Sequence, residues 1–226
     1  MSTRDRINRM YELLEEAFGP QHWWPAETPF EVMVGAVLTQ NTNWKNVEKA
    51  IANLKQRELL SPEALHALPR EELAELIRPA GYFNIKAKRL KNLIDFLFDR
   101  FDGDLDALFA LSVYDMREEL IRVNGIGRET CDSIVLYAAG KPTFVVDTYT
   151  ARILLRHDLI DESADYDEIK EQFESSLPSD AALFNEFHAH LVQVGKLYCR
   201  KRPRCETCPL RVIFPPGRTH PPDMEP

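Results

Sequence analysis

Almost nothing in this sequence alternates. Apolar residues recur at three- and four-residue spacing through segment after segment, each closed by a short Pro, Asp or Gly break. That period gathers them on one side of a helix, whereas a half-buried strand would need a period of two. Phe30, Met33, Val34, Val37 and Leu38 make one stripe after Pro29, and Phe184, Phe187, Leu191, Val194 and Tyr198 make another. Further helices are predicted at about 46–55, 62–68, 71–78, 85–101, 105–111, 114–123, 128–139, 148–157 and 166–174. Phe144, Val145 and Val146 could pass for a strand, but they stand alone between Pro142 and Asp147, so an extended connector is predicted there. Glycine is scarce, at 9 of 226 residues. The fold class these patterns predict is all-α.

Composition then narrows function. Hydrophobic residues make up 44% of the chain, enough to fill the core of one large domain or two small ones. No apolar run approaches the roughly eighteen residues that span a bilayer. The start, MSTRDRINRMYELLEEAFG, reads as a charged amphipathic helix without a signal-peptide core. A cytoplasmic protein with no membrane partner is expected. The formal net charge of -8 argues against bulk attraction to nucleic acid, so any DNA contact must come from a local patch. One such patch holds Lys196, Arg200, Lys201, Arg202, Arg204 and Arg211 against the single acid Glu206. Eight acids and one lysine between Asp158 and Glu174 instead read as a solvated helix and loop. From Pro215 onward, PPGRTHPPDMEP is a polar, Pro-rich tail expected to lack fixed structure.

The segment Val123-Asn124-Gly125-Ile126-Gly127-Arg128-Glu129-Thr130 lies between two helical patterns. Its glycines permit a tight turn with unusual dihedrals and close backbone approach, and the amides after them open a helix. Free N–H groups and a partial positive charge at a helix start bind phosphate without reading bases. An ordinary tight helix–helix turn fits the same residues. Asp147 then follows the Phe144–Val146 run, twenty residues after Gly127.

Together these segments resemble the helix-hairpin-helix DNA glycosylase superfamily, in particular its endonuclease III group. There a V-N-G-I-G-R-E-T-C hairpin is followed, across one helix and a connector, by an aspartate in a V-V-D context. Val37-Leu38-Thr39-Gln40-Asn41-Thr42 resembles the early family helix that ends in a DNA-facing glutamine. Gly81-Tyr82-Phe83-Asn84-Ile85-Lys86-Ala87-Lys88 resembles the family's G-x-(x)-N-x-K-A segment. Ordered matches run from about residue 23 to residue 210.

The resemblance implies a helical barrel with the hairpin over residues 28–141, a second helical lobe from 1–27 and 142–214 with a Cys-rich loop, and a flexible tail at 215–226. It also implies a monomer acting on double-stranded DNA, with the flipped base in a cleft between the lobes. Asp147 would stabilise the cation that develops on the deoxyribose and help activate water; it could equally cap the helix at Thr148, and the two roles are compatible. Asn124, Gly125, Ile126, Gly127 and Arg128 would hold a DNA strand. Gln40 would enter the gap left by the extruded base and Tyr82 would wedge the opposite strand, although Gln40 could simply cap its own helix and Tyr82 could be half-buried surface. Arg200, Lys201, Arg202 and Arg204 would meet phosphates. Bifunctional members carry a lysine where Glu129 stands, and a glutamate cannot form an imine, so a monofunctional enzyme that leaves an abasic site is implied.

All three tryptophans fall within twenty-two residues, in His22-Trp23-Trp24-Pro25 and at Trp44. W-W-P followed by L-T-Q-N-T-x-W resembles the 3-methyladenine glycosylase branch, which implies that Trp24, Pro25 and Trp44 stack on the flipped base. An electron-rich ring suits a cationic alkylated purine. Core packing is the plain alternative, above all for Trp23. Excision of alkylated bases is thus the leading expectation. A glycosylase for oxidised or mismatched pyrimidines and a hairpin module that binds DNA without catalysis are the rivals; a pure binder has no need of Asp147 or of clustered tryptophans.

Cys199-x5-Cys205-x2-Cys208, set among basic residues, looks like the iron–sulfur loop of endonuclease III. The family pattern has six residues in the first gap and a fourth cysteine after five more, where this chain has Phe214. The three thiols could hold a 4Fe-4S cluster with a non-cysteine fourth site, bind zinc with His220, or hold no metal. Cys131 reads as a small buried hydrophobe.

Overall fold

A computed structural model describes residues 1–213; Phe214, His220 and the Pro-rich tail lie outside the described residues. No strand occurs among the described residues, and the Phe144–Val146 stretch is an extended connector. The chain divides into two compact units, one spanning Trp24–Lys141 and one combining Met1–Trp23 with the chain from Pro142 onward.

Helix α1 (Thr3–Phe18) opens the chain and belongs to the second unit. The continuous unit is built from α2 (Pro29–Leu38), α3 (Trp44–Gln56), α4 (Pro62–Ala67), α5 (Arg70–Leu76), α6 (Phe83–Phe101), α7 (Leu105–Phe109), α8 (Val113–Ile121) and α9 (Arg128–Ser133). Its centre is α2, which starts where the Thr28 hydroxyl accepts from the Glu31 amide at 3.1 Å and Pro29 fills the first position. The sequence predicts one apolar stripe on this helix, yet nine of its ten residues are buried. Val32, Gly35 and Ala36 lie off the stripe but are small or apolar, so the helix can be covered from every side. The one buried charge, Glu31, is paired with Lys55 at 2.9 Å.

Two predicted helices end differently from their sequence pattern. The one expected over 71–78 stops at Leu76, and a short 3-10 turn, Arg78–Ala80, takes over around Pro79, whose ring cannot continue the ladder. The one expected over 128–139 is α-helical only to Ser133 and becomes a π-helix over Ile134–Ala138.

In the other unit, α10 (Thr148–Arg156), α11 (Tyr166–Glu174) and α12 (Ala181–Leu197) pack with α1. The Phe144 and Phe173 rings stack with centroids 3.8 Å apart, and the rings of Phe184 and Phe187 meet Phe144 edge-on. Gly195 of α12 lets α10 approach closely, since a Cβ there would fall 2.3 Å from Tyr149 Cδ1.

Candidate active site

Asp147 stands at the end of a buried connector whose backbone has no strand partner. Side chains satisfy it instead. Phe144 N donates to Glu174 Oε1 at 2.8 Å, His188 Nδ1 lies 2.9 Å from the Val145 carbonyl, and Val146 N donates to Tyr166 OH at 3.3 Å. Glu174 and Tyr166 come from the two ends of α11 and His188 from α12, so three contacts on successive residues fix the entry to Asp147. There Asp147 caps α10, its Oδ1 accepting from Thr150 N at 2.7 Å and Thr150 Oγ1 at 2.9 Å. Both bonds use one oxygen, and the residue is half-buried. The carboxylate is thus held by its cap through Oδ1.

The hairpin joins α8 to α9. Gly125 takes φ +100°, and a Cβ there would fall 2.3 Å from Arg89 Cγ, so both dihedral and space demand glycine. Gly127 is different. Its φ of -89° suits any residue, and a Cβ on it would meet nothing within 4 Å. The expectation of unusual dihedrals at both glycines therefore holds only for Gly125. Asn124, Gly127, Arg128 and Glu129 are exposed, whereas the Ile126 side chain is 4% exposed and packs in the core. Any contact of Ile126 with DNA would have to come from its backbone.

Gln40, just beyond α2, is bound to this hairpin and does not cap its own helix. Its Nε2 donates to the Gly125 carbonyl at 3.1 Å and to Thr130 Oγ1 at 2.9 Å, while its Oε1 accepts from Arg89 Nη1. Entry into a base gap would break these bonds. Tyr82 is 69% exposed and adopts φ +45°, a strained conformation for a bulky side chain. Lys86, only 1% exposed, ties together the two segments that carry Gln40 and Tyr82. Its Nζ donates to the Leu38 carbonyl at 2.9 Å and the Ala80 carbonyl at 2.7 Å. Burial, with Arg89 nearby, pulls its pKa down to about 8.

Trp24 and Trp44 meet edge to face, with centroids 5.2 Å apart and planes at 88°. Tyr137 lies against Trp24 at 5.1 Å. Gly35 on α2 gives these rings room, with Trp24 Cζ2 and Trp44 Cη2 3.4 and 3.6 Å from where its Cβ would lie. Pro25 is exposed beside them. Trp23 belongs to the other unit, where the Lys196 ammonium sits 5.3 Å from its ring centroid.

Residues 34–179 match the HhH-GPD superfamily of base excision DNA repair proteins. The chain belongs to that superfamily. It is 47% identical to a protein of Methanocaldococcus jannaschii that bears the name of a DNA repair glycosylase, over 92% of this chain and 94% of that one. A 3-methyladenine DNA glycosylase of H. pylori, solved bound to 1,N6-ethenoadenine, is similar at 30% identity and a TM-score of 0.73, covering 87% of this chain and 98% of that one. An endonuclease III in a non-covalent DNA complex shares the fold, with a TM-score of 0.81 at 24% identity over 95% and 96% of the two chains.

In this HhH-GPD protein the cysteine loop is organised by arginines. Cys199, Cys205 and Cys208 line one hollow with Arg156, His157 and Arg204. Arg156, 3% exposed, donates to the Arg200 carbonyl at 2.7 Å and lies 3.4 Å from Cys199 Sγ, while Arg152 Nε donates to the Cys199 carbonyl at 2.8 Å. Arg200, Lys201, Arg202 and Arg204 are exposed. Burial raises the Cys205 thiol and pushes that of Cys208 up to about 11. No group of three or more His, Cys, Asp or Glu among the described residues stands at metal-binding spacing. No described helix is long and apolar enough to cross a membrane.

Sequence reasoning missed Tyr137, Arg89 and Thr130. Tyr137 lies on the π-helical turn, and no sequence period marks where an α-helix widens. Lys86 falls in a recognised motif, but its role depends on two carbonyls 6 and 48 residues away.

Proposed function

We propose that this chain is a monofunctional DNA glycosylase that removes alkylated purines of the 3-methyladenine type and leaves an abasic site. The observation that carries the reading is the nest of Trp24, Trp44 and Tyr137, three electron-rich rings in which Trp24 lies against each of the other two. A cationic purine gains from such faces both by stacking and by cation-π attraction, worth about 0.5–2 kcal/mol. The similarity to the H. pylori 3-methyladenine glycosylase, and Glu129 in the first turn of α9, support the same reading.

Alkylation already puts positive charge on the base, so the N-glycosidic bonding pair leaves with a neutral purine. The deoxyribose is left as a cation. The Asp147 carboxylate stabilises that charge and receives a proton from the water that adds at C1′. The exposed hairpin and the basic Arg200–Arg204 loop hold phosphates. Gly127 supports this role, since no described residue beyond its chain neighbours lies within 4 Å of where its Cβ would stand, which leaves its exposed backbone open to a phosphate strand.

The test is base release from duplexes carrying 3-methyladenine, thymine glycol or a G·T mismatch, each run with and without borohydride. Release of 3-methyladenine from strands that stay intact until alkali is added, with no trapped adduct, is the expected result. Release confined to pyrimidines would overturn the substrate assignment. Efficient trapping would show that an amine such as Lys141 attacks C1′ and would overturn the monofunctional mechanism.

A further inference from the structure

An open groove of roughly 610 Å³ lies between the start of α5, the first turns of α6 and the hairpin turn. Arg70, Asn84, Lys88, Arg89, Asn124 and Gly125 line it. Its character departs from that of the chain, whose net charge is -8. Three cations face it against one acid, Glu71, and that acid is already paired with Arg70 at 2.9 Å.

The cations are arranged unequally. The Arg89 stem lies beside Gly125, where a Cβ would overlap it, and its guanidinium is held by Gln40. It is a strut for the groove wall. Lys88 is exposed and forms no hydrogen bond or ion pair with any described residue. Asn84 lies four residues before Lys88, on the same face of α6, and is likewise exposed. Asn124 is exposed at the far wall, on the hairpin itself, where its carbonyl accepts from Asn92 at 2.8 Å. Ile85, 53% exposed, and Ala74 add an apolar surface between the polar groups. Fixed and free cations, neutral amide donors and an apolar strip in an open channel suit a linear polyanion with sugar faces. They do not suit a small anion, which would need enclosure.

We propose that this groove is a second track for the DNA backbone, continuous with the hairpin at Gly125, in which Lys88 and Asn84 contact phosphate. The proposal rests on the DNA glycosylase reading. It extends the contact surface from the hairpin along α6 towards the exposed Tyr82.

The test measures binding to an undamaged duplex across a range of KCl concentrations for wild type, Lys88→Ala and Lys49→Ala. Lys49 is also exposed but lies outside the groove, so it controls for the loss of one positive charge. For Lys88→Ala the slope of log K against log salt should shrink by about 0.9, with affinity falling several-fold whatever the sequence, while Lys49→Ala should follow wild type. A scan of single methylphosphonate linkages should then find one position whose neutralisation weakens wild type and leaves Lys88→Ala unaffected. A merely structural Lys88 would show no such coupling. Equal slopes for the two variants, or no coupled linkage, would overturn the track while base release by wild type left the glycosylase reading standing. Wild type that neither binds duplex nor releases a base would overturn both.

Discussion

Replacing Asp147 by Asn separates its two roles, because the cap and the charge depend on different properties of the same side chain. Both cap bonds end on Oδ1, from Thr150 N at 2.7 Å and Thr150 Oγ1 at 2.9 Å. An asparagine carbonyl oxygen can accept both, so the loss in stability should be confined to the charge at the helix start, about 0.3–1 kcal/mol. For a chain of this size that is roughly 1–4 °C in melting temperature. Loss of a preorganised charge beside the developing deoxyribose cation should cost about 3–4 kcal/mol, or at least a hundredfold to a thousandfold in the excision step. Asp147→Ala calibrates the other role, since it removes the cap as well and should cost about 1–2 kcal/mol in stability. The assay is single-turnover base release at saturating enzyme, run beside thermal melts and equilibrium binding to an abasic-site duplex. Excision by Asp147→Asn within a few-fold of wild type would remove Asp147 from the chemistry. An Asn variant that melts as early as the Ala variant and loses DNA binding would show that capping is its whole contribution.

Gly127→Ala should leave stability within about 1 kcal/mol of wild type, since φ is ordinary and the Cβ direction is open, while duplex affinity falls; a variant with unchanged affinity would mean that no backbone passes close to this turn. Lys86 should tilt stability with pH. Its folded pKa of about 8 lies below the unfolded value of 10.5, so between those values the unfolded chain holds a proton that the folded chain has released, and stability rises with pH. Below about pH 8 both states are protonated and the penalty is constant. The full rise is at most roughly 3 kcal/mol, because the Leu38 and Ala80 carbonyls favour the ammonium. Urea denaturation of wild type and Lys86→Met from pH 7 to 10 should show wild type gaining on the variant above pH 8, and a constant difference would refute the assigned burial cost.

The helical class, the hairpin turn and the cap at Asp147 were legible in the sequence because each depends on neighbours close along the chain. Period, turn glycines and a capping aspartate act within four residues, a range over which residue type alone carries the physics. The aromatic nest was legible only in part. Trp24 and Trp44 announce themselves by type and spacing, but Tyr137 reaches Trp24 from a π-helical turn more than a hundred residues away. The cysteine loop shows the opposite limit. Spacing alone singles out the three cysteines, but that Arg152 and Arg156 bind the loop carbonyls shows only in the folded chain.

By itself, then, the sequence determined which segments are helical, where the hairpin turns and which carboxylate caps α10, since these follow from local sterics and hydrogen bonding. Only the tertiary structure decided that α2 is buried all round, that Gln40 is bound to the hairpin through Gly125, Thr130 and Arg89, and that Lys86 joins the Leu38 and Ala80 carbonyls. Those outcomes depend on which distant groups meet once water is excluded, because a buried polar atom must take whatever partner the packing brings to it.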